Sequence, residues 1–500
     1  MSENRVMFQS FEWEMPNDGN FYKRLKELVP HLKEVGIDAV WLPPVYKGAG
    51  NNDVGYGAYD LYDLGEFDQK GTVRTKYGTR EELLELIDTL HDNGLLVYLD
   101  VVLNHKGSAD YTETFYATQV DENNRAEVIG ESHEIEGWTG FDFPGRAGKY
   151  SDFVWNYNHF TGVDYDNKTG TNGIFRIDGE NKGWAIGVSP EMGNFDYLMF
   201  ADVDHAHPDV REELYRWTEW FAKTTRADGF RMDAVKHIDD AFMKDYLDFC
   251  HDKDPDFYLF GEYWSANQDE LYSYMEDTGF NLDLFDVPLH FNLMAASQDD
   301  GYDLRTIFDG SLVKNHPLEA VTFVDNHDSQ PGQSLESWVG GHFKERAYGL
   351  ILLRADGYPV VFAGDYYGIE GGPAPQEGHA YDLDRLMEVR ANFAYGEQVD
   401  FFQDEQAIGW TRVGEKEHPA LLAVTVSMHS FANVHMSFGP EHAGAVFYDY
   451  LNRHDGFEVV LDENGEAEFP VKPASISAWV TNLSEDFYDE DTQPKALDER

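Results

Sequence analysis

The sequence has little cysteine, little positive charge and no long apolar run, and each shortage excludes a class of protein. Cys250 is the single cysteine among 500 residues, so no intramolecular disulfide can form and no cysteine pair can carry redox chemistry. No run of about 18 apolar residues occurs, and the segment 1–10 lacks a basic region followed by an apolar one. We therefore expect a cytoplasmic protein that does not enter a membrane. The alternative is a secreted protein whose signal peptide is missing from this chain.

Basic residues are scarce relative to acidic ones. The chain has 38 Lys and Arg against 93 Asp and Glu, which gives a net charge of −55 and a pI near 4.4. Such a surface repels phosphate groups, so nucleic acid is excluded as a partner. Molar salt shortens the screening length to about 3 Å and relieves the self-repulsion. The composition predicts a halophilic protein, and the alternative is an acidic surface that only confers solubility.

Apolar and aromatic side chains are abundant. They make up 42% and 15% of the residues, which excludes a largely disordered chain. Five hundred residues are too many to pack around a single hydrophobic core, so we expect about two to four structural units in the chain.

Short β-rich runs alternate with amphipathic helical stretches up to about residue 396, which indicates a βα repeat. Helical spacing of leucines ends at Gly36 and again at Gly94. Eight strands predict a closed (β/α)8 TIM barrel of the α/β class. The predicted strands are 6–11, 37–42, 96–102, 229–234, 257–262, 282–286, 320–324 and 358–363.

One long connection interrupts the βα rhythm after the third strand. A structureless loop of that length is uncommon, so its aromatic and glycine content predicts an inserted irregular β domain. Beyond residue 396, short β-rich runs predict a C-terminal antiparallel β-sandwich. The expected domains are a barrel at 1–103 and 207–396, an insertion at 104–206, a C-terminal domain at 397–483 and an acidic tail at 484–500.

Four predicted strands end in polar residues, and active sites of such barrels lie at the carboxyl ends of the strands. The segments are DVVLNH at 100–105, DGFRMDAVKH at 228–237, FGEYW at 260–264 and FVDNHD at 323–328. Arg231 and Asp233 lie two apart on one strand and so face the same side. A guanidinium keeps a neighbouring carboxylate ionised, as a nucleophile requires. Glu262 lies among aromatic residues, which raise a carboxyl pKa and suit a general acid.

Further residues near these strand ends complete a pattern typical of retaining glycoside cleavage. Asp328 supplies a third carboxylate. The possible sugar contacts are His105 and His327, as hydrogen-bond donors, and Trp13, Tyr56 and Trp264, as stacking rings. A single Arg-x-Asp pair is also typical of a structural ion pair, so the interpretation depends on all four strand ends together.

Four residues with oxygen-bearing side chains lie at the two ends of the insertion, one just after the third strand and three near residue 206. They are Asn104, Asp196, Asp202 and Asp204. Hard oxygen donors of this kind are typical of a calcium site. In so acidic a chain, a solvated surface is the alternative.

The four strand-end segments, in this order and spacing, resemble the conserved regions of the α-amylase family, glycoside hydrolase family 13. The resemblance covers nearly the whole chain and is closest to bacterial liquefying and cytoplasmic members. It extends through LPPVYKG at 42–48, YDLGEFDQKGTVRTKYGT at 62–79, NFDYLMFADVDHAHPDV at 194–210 and VTFVDNHDSQPGQSLES at 321–337.

The resemblance implies a role for each matching residue. Asp233 is the implied nucleophile, Glu262 the general acid/base and Asp328 the stabiliser of the transition state. The implied sugar contacts are Arg231, His105, His327 and Tyr56 at subsite −1, with Lys236 and His237 on the aglycone side.

The resemblance also implies one calcium ion. Its implied ligands are Asn104, Asp196, Asp202 and the backbone carbonyl of His237. Relatives hold a second calcium and a sodium with aspartates that are Thr161 and Ala185 here, and Glu405 and Gln406 replace ligands of a further calcium site. We therefore expect a single calcium.

The expected function is an endo-acting α-amylase that cleaves internal α-1,4 bonds of starch, glycogen and maltodextrins, acting as a monomer. Two alternatives remain at this point. One is a transglycosylating or maltogenic enzyme of the same family. The other is a non-catalytic carbohydrate-binding protein on the same scaffold, which would lack one of the three carboxylates.

Overall fold

The computed structural model describes residues 4–481, so the predicted acidic tail at 484–500 lies outside the described residues. The described residues group into two compact units. One comprises the described parts of Met1–Glu14, His31–Asp38 and Asp286–Arg500, and the other comprises Met15–Pro30 and Ala39–Phe285. Within residues 4–481, no helix has both the length and the apolar character needed to span a bilayer.

Eight parallel strands close into a barrel, which confirms the predicted fold class. In chain order they are β1 (Met7–Gln9), β2 (Ala39–Leu42), β3 (Leu96–Val101), β4 (Gly229–Met232), β5 (Tyr258–Gly261), β6 (Asp283–Phe285), β7 (Ala320–Phe323) and β8 (Tyr358–Phe362). Around the barrel the order is β1, β8, β7, β6, β5, β4, β3, β2. Each strand lies within a stretch that the sequence predicts, because buried β-branched and aromatic runs mark them clearly.

Amphipathic helices alternate with the barrel strands. In the helix Arg80–Asp92, Leu83, Leu86 and Leu90 are fully buried, and a capping box between Thr79 and Glu82 starts the helix. Gly94 has φ +69° just beyond its end, a conformation that favours glycine. The α-helices are Phe21–Glu34, Arg80–Asp92, Pro208–Thr225, Asp240–Lys253, Gln268–Asp277, Val287–Gln298, Leu312–Asn315, Lys344–Leu352, Ala363–Tyr367 and Ala380–Phe393.

The chain forms a separate six-stranded sheet between β3 and the helix Pro208–Thr225. Its neighbouring strands pair antiparallel, and Val120, Ile174 and Tyr197 form a small core against it. In sheet order the strands are His105–Lys106, Ala201–Val203, Phe160–Asp166, Thr171–Ile177, Tyr111–Val120 and His133–Gly140. The predicted β insertion after the third strand is therefore present.

The C-terminal part of the described chain consists mainly of β-strands, with one short 3-10 helix at Pro440–His442. A six-stranded sheet has the order Gln398–Phe401, Ala407–Arg412, Leu422–Ser427, Ile476–Val480, Val446–Asp449 and Glu458–Val460. A second sheet pairs Ala432–Ser437 with Glu466–Val471. Met436, Phe447, Phe469 and Trp479 are fully buried in their common core. This agrees with the predicted antiparallel domain.

Candidate active site

Strand β4 directs alternate side chains to opposite sides. Phe230 stacks on Phe221 of the preceding helix with ring centroids 5.6 Å apart. Arg231 and Asp233 therefore face the other side of the strand. The parallel register places Arg231 directly beside Asp100 of β3. This pairing brings an arginine and an aspartate together in the fully buried interior of the barrel.

The guanidinium of Arg231 binds three carboxylates. Nη1 donates to Asp233 Oδ1 at 2.6 Å and to the two oxygens of Asp100 at 3.0 and 3.2 Å. Nη2 donates to Glu262 Oε2 at 2.5 Å. Burial opposes the positive charge, but attraction to the carboxylates holds the pKa of Arg231 well above its ordinary value. Arg231 therefore stays charged and orients both Asp233 and Glu262.

Glu262 follows β5 directly and is almost completely buried. Burial raises its pKa to about 7, a rise that Arg231 opposes and the charge of Asp233 increases. A carboxyl group with this pKa holds a proton that it can donate near neutral pH. Asp233 instead accepts the shortest hydrogen bond of Arg231 Nη1. The two carboxyl groups are thus held by the two terminal nitrogens of one guanidinium.

Asp100 is a member of this cluster that the sequence interpretation missed. Trp41 Nε1 donates to Asp100 Oδ2 at 3.1 Å, and Tyr56 Oη donates to the same oxygen at 2.8 Å. Burial raises the pKa of Asp100 to about 6, while Arg231 opposes that rise. Asp100 is the single acid in the otherwise apolar strand LVYLDV. A charge in such a strand needs a buried partner, and this was the sequence signal that pointed to the cluster.

Tyr56 and His105 lie close to each other. His105 Nε2 lies 2.8 Å from the backbone oxygen of Tyr56. Burial lowers the pKa of His105, so its neutral form is favoured. The Tyr56 ring lies 5.9 Å from the guanidinium carbon of Arg231. Tyr56 therefore lies next to Arg231 and connects His105 to the cluster of carboxylates around Arg231.

The remaining predicted acid, Asp328, lies in the other unit with His327 and Trp13. His327 Nε2 lies 3.2 Å from Asp328 Oδ2, and its Nδ1 lies 2.9 Å from Gln9 Nε2. The Trp13 ring stacks on the His327 ring with centroids 5.9 Å apart and planes 10° apart. Asp328 is partly exposed, whereas His327 is fully buried. Contacts with Trp13 and Gln9 therefore hold His327, the residue that precedes Asp328, in place.

Lys236, His237 and Trp264 form a further group after β4 and β5. Lys236 Nζ pairs with Glu191 at 3.1 Å and donates to the backbone oxygen of Trp264 at 3.0 Å. His237 Nδ1 lies 2.7 Å from the backbone oxygen of Phe195. Burial lowers the pKa of His237 to about 3. The Glu191 contact was not foreseen from the sequence.

Three of the four predicted calcium ligands, the side chains of Asn104, Asp196 and Asp202, come close to one another in the insertion. Asn104 Nδ2 lies 3.3 Å from Asp202 Oδ1, and Thr161 donates to the other oxygen of Asp202. Burial and the nearby charge of Asp196 raise the pKa of Asp202 well above its ordinary range. Burial also raises the pKa of Asp196 to about 7. Within residues 4–481, neither aspartate forms an ion pair with lysine or arginine, so the donor set fits an added hard cation.

Asp204 has a different partner from the other two aspartates. Lys182 Nζ donates to Asp204 Oδ2 at 2.6 Å and to the backbone oxygen of Phe160 at 3.1 Å. The side chains of Lys182 and Asp204 are both about nine-tenths buried. An ammonium group therefore already neutralises Asp204, a contact that the sequence did not reveal.

The described residues contain one group of three His, Cys, Asp or Glu side chains whose ligand atoms lie within 4.8 Å of one another. Its members are His159, His207 and Asp209. Asn156 N donates to His159 Nδ1, and Asp209 N donates to His207 Nδ1. Each neutral ring then carries its proton on Nε2, which disfavours metal binding at that atom.

A closed (β/α)8 barrel with two carboxyl groups on one buried guanidinium is an arrangement that fits the class of glycoside hydrolases. The chain belongs to the α-amylase family, because the model of the α-amylase catalytic domain matches residues 22–407.

Individual relatives extend this likeness over 95% of the chain. The chain is 47% identical over 483 residues to a glucan 1,4-alpha-maltohexaosidase of Bacillus sp. (strain 707), covering 95% of this chain and 92% of that protein. It is 41% identical over 491 residues to the cytoplasmic alpha-amylase of Escherichia coli (strain K12), covering 95% and 99%. A crystal structure of an Anoxybacillus alpha-amylase has a TM-score of 0.63 at 18% identity, covering 97% and 98%, and supports the fold alone.

Proposed function

We propose that this protein is an endo-acting, retaining α-amylase that hydrolyses internal α-1,4-glucosidic bonds of starch, glycogen and maltodextrins. The observation that carries the proposal is the guanidinium of Arg231, which binds both Asp233 and Glu262. Inverting enzymes keep their carboxyl groups about 6.5–9.5 Å apart to admit a water molecule, whereas retaining enzymes hold them about 5–5.5 Å apart. Two carboxyl groups that share one guanidinium fit the shorter arrangement.

In this mechanism Asp233 attacks the sugar C1 while Glu262 protonates the leaving oxygen. The C1–O bond breaks, a covalent bond forms between C1 and Asp233, and the shortened chain leaves. Glu262, now ionised, takes a proton from water, whose oxygen attacks C1 and releases Asp233. The raised pKa of Glu262 supports the first role, because a protonated acid is needed there.

Asp328 is proposed as the third carboxylate, which stabilises the positive charge that develops on the sugar ring. It follows β7, another strand of the same closed barrel, and the carboxyl ends of barrel strands carry the active site. We further propose that His105, His327 and Tyr56 contact the sugar at subsite −1. Trp13, Trp264, Lys236 and His237 are proposed to contact neighbouring sugars.

We propose one calcium ion, held by Asn104, Asp196, Asp202 and the backbone carbonyl of His237. Calcium would supply the charge that keeps the two buried aspartates ionised and ties the insertion to the end of β3. Ionised Asp196, Asp202 and Asp204 together with the Lys182 ammonium carry a net charge of −2. A single divalent ion balances this charge, which supports a stoichiometry of one.

The decisive experiment is hydrolysis of end-blocked maltoheptaose, followed by NMR of the first products. An endo-acting retaining enzyme cleaves the blocked substrate and releases α-anomers. An intact substrate would contradict the endo mode and favour the exo-acting maltogenic alternative. Products longer than the substrate would favour a transglycosylase. Sugar binding without any cleavage would favour the non-catalytic alternative.

We also propose a cytoplasmic, halophilic monomer. The cytoplasmic relative in Escherichia coli supports the compartment, and the net charge of −55 supports the salt adaptation. The proposed domain bounds are 1–103 and 207–396 for the barrel, 104–206 for the insertion and 397–483 for the C-terminal domain. Light scattering in molar KCl tests the oligomeric state, and limited proteolysis tests the bounds.

A further inference from the structure

A fully buried ion cluster lies in the same unit as Asp328. Lys344 Nζ pairs with Asp365 Oδ1 at 2.6 Å and with Asp325 Oδ2, and all three side chains are inaccessible to solvent. The ammonium also lies 3.5 Å from the centroid of the Trp338 ring. Tyr348 Oη donates to Asp365 Oδ2 at 2.7 Å. The cluster is therefore held from every side by packed groups.

A chain of hydrogen bonds runs from this cluster to the backbone of Asp328. Ser329 Oγ donates to Asp325 Oδ1 at 2.6 Å and accepts from Asn326 N at 3.0 Å. Asn326 Oδ1 accepts from Asp328 N at 2.9 Å and from Ser329 N at 2.9 Å. Every residue of the turn from Asp325 to Ser329, except His327, takes part in this chain of bonds. The orientation of the turn therefore depends on where Asp325 is held.

Stability alone is a weak reason for such a cluster. Burying three charged groups costs several kcal/mol each before they attract one another, and apolar replacements are often as stable. Burial raises the pKa of Asp325 to about 7, and the ammonium of Lys344 opposes this rise. Lys344 therefore favours the ionised form of the carboxylate that accepts the Ser329 hydrogen bond. The hydroxyl of Ser329 connects this carboxylate to the turn that carries Asp328.

We propose that Lys344 is a positioning residue for Asp328, acting through Asp325 and Ser329. This inference rests on the proposed function, because it assumes that Asp328 stabilises the transition state. Lys344 and Ser329 do not touch substrate in this scheme. They hold the turn so that the Asp328 carboxylate faces the developing charge, and preorganised groups of this kind supply much of the rate enhancement of enzymes.

The test compares two serine-to-alanine variants in the full chain. Ser329→Ala removes the hydroxyl that joins Asp325 to Asn326. Ser311→Ala is the matched control, because Ser311 is also fully buried in this unit, donates to Phe308 O and accepts from Lys314 N. We expect Ser329→Ala to lower kcat on the order of 10- to 100-fold with KM changed by less than about threefold. Ser311→Ala should lower the unfolding midpoint without lowering kcat.

The affinity for a cationic amino-sugar inhibitor is a second measurement, and a general loss of rigidity of the fold would not change it. If Asp328 is displaced, Ser329→Ala should weaken inhibitor binding in proportion to the loss of kcat, because the inhibitor carries the charge that Asp328 stabilises. Lys344→Met should act in the same direction if that variant folds. Equal kcat for the two serine variants, or unchanged inhibitor affinity in Ser329→Ala, would overturn the inference.

Failure of the proposed function is recognised separately. The wild-type protein would then leave end-blocked maltoheptaose uncut, or Asp328→Asn would retain full kcat. If both of those tests support the proposed function while Ser329→Ala behaves like Ser311→Ala, only the positioning role is rejected.

Discussion

Arg231 Nη1 lies 2.6 Å from Asp233 Oδ1, two residues further along the same strand end. The other terminal nitrogen of the same guanidinium donates to Glu262. One fully buried side chain therefore orients both groups that are proposed to make and break bonds. Changes to any of the three residues should affect catalysis in different, separable ways.

Replacement of Asp233 by asparagine should remove the nucleophile while keeping the shape of the side chain. We expect kcat on starch to fall on the order of 10⁴-fold or more, with dextrin binding retained. Reducing-sugar release measures the first effect and calorimetry the second. Asp245→Asn, at an exposed site on a helix, is the control and should keep full activity. Substantial turnover by Asp233→Asn would disprove the nucleophile assignment.

Arg231→Lys should be damaging although it preserves the charge. A lysine ammonium lacks the two separate terminal nitrogens that bind Asp233 and Glu262, so at least one buried carboxylate loses its partner. We expect a loss of stability of about 3–5 kcal/mol and a larger fall in kcat than in substrate affinity. Urea unfolding and steady-state kinetics measure these. Wild-type kcat in this variant would show that the guanidinium geometry is unimportant.

The pH dependence of kcat/KM should have a descending limb near pH 7, because Glu262 acts in its protonated form and burial raises its pKa to about 7. Since the folded-state pKa is above the ordinary value, this group's contribution to stability is lost as the pH rises through about 7. Asp100→Asn removes a nearby negative charge that raises this pKa, so the limb should move to lower pH. A limb that stays in place would argue against Glu262 as the titrating acid.

Removal of calcium should lower the unfolding midpoint, because burial and the nearness of the two carboxylates oppose the ionised forms of Asp196 and Asp202 once no cation balances them. The metal content of the native protein, measured by mass spectrometry, should be about one calcium per chain. Asp202→Asn should weaken calcium binding by on the order of tenfold or more. Asp209→Asn, which alters the His159 group, should leave calcium binding unchanged. Two tightly bound calcium ions would contradict the proposed stoichiometry.

Salt should stabilise the protein, because a net charge of −55 opposes compaction until it is screened. We expect the thermal midpoint in calcium buffer to rise from dilute buffer to molar KCl. Choline chloride at equal ionic strength controls for binding of a particular cation and should give a similar rise. Equal midpoints in dilute and concentrated salt would leave solubility as the only role of the acidic surface.

Periodicity was enough to predict the barrel and its strands. Strand β4 shows why, since Phe230 packs outward on a helix while Arg231 faces the interior, as an alternating strand requires. The neighbours Arg231 and Asp233 could be paired from the sequence because they lie two residues apart on one strand.

Partners that are distant in sequence could not be predicted in this way. Asp100 meets Arg231 only through the register of two parallel strands, and Lys344 meets Asp325 only after a helix packs behind β7. Lys182 reaches Asp204 across a loop. Nothing in local spacing sets these contacts, because they depend on how separate elements are placed in three dimensions.

The pairing of β1 with β8 bears on how the protein is synthesised. Met7 pairs with Val360, which leaves the ribosome about 350 residues later. At about 5–20 residues per second, that delay is on the order of tens of seconds. Throughout it the first strand has an unsatisfied edge, so closure must follow translation of nearly the whole barrel. A nascent chain stopped before β8 would therefore be prone to aggregate or to need a chaperone.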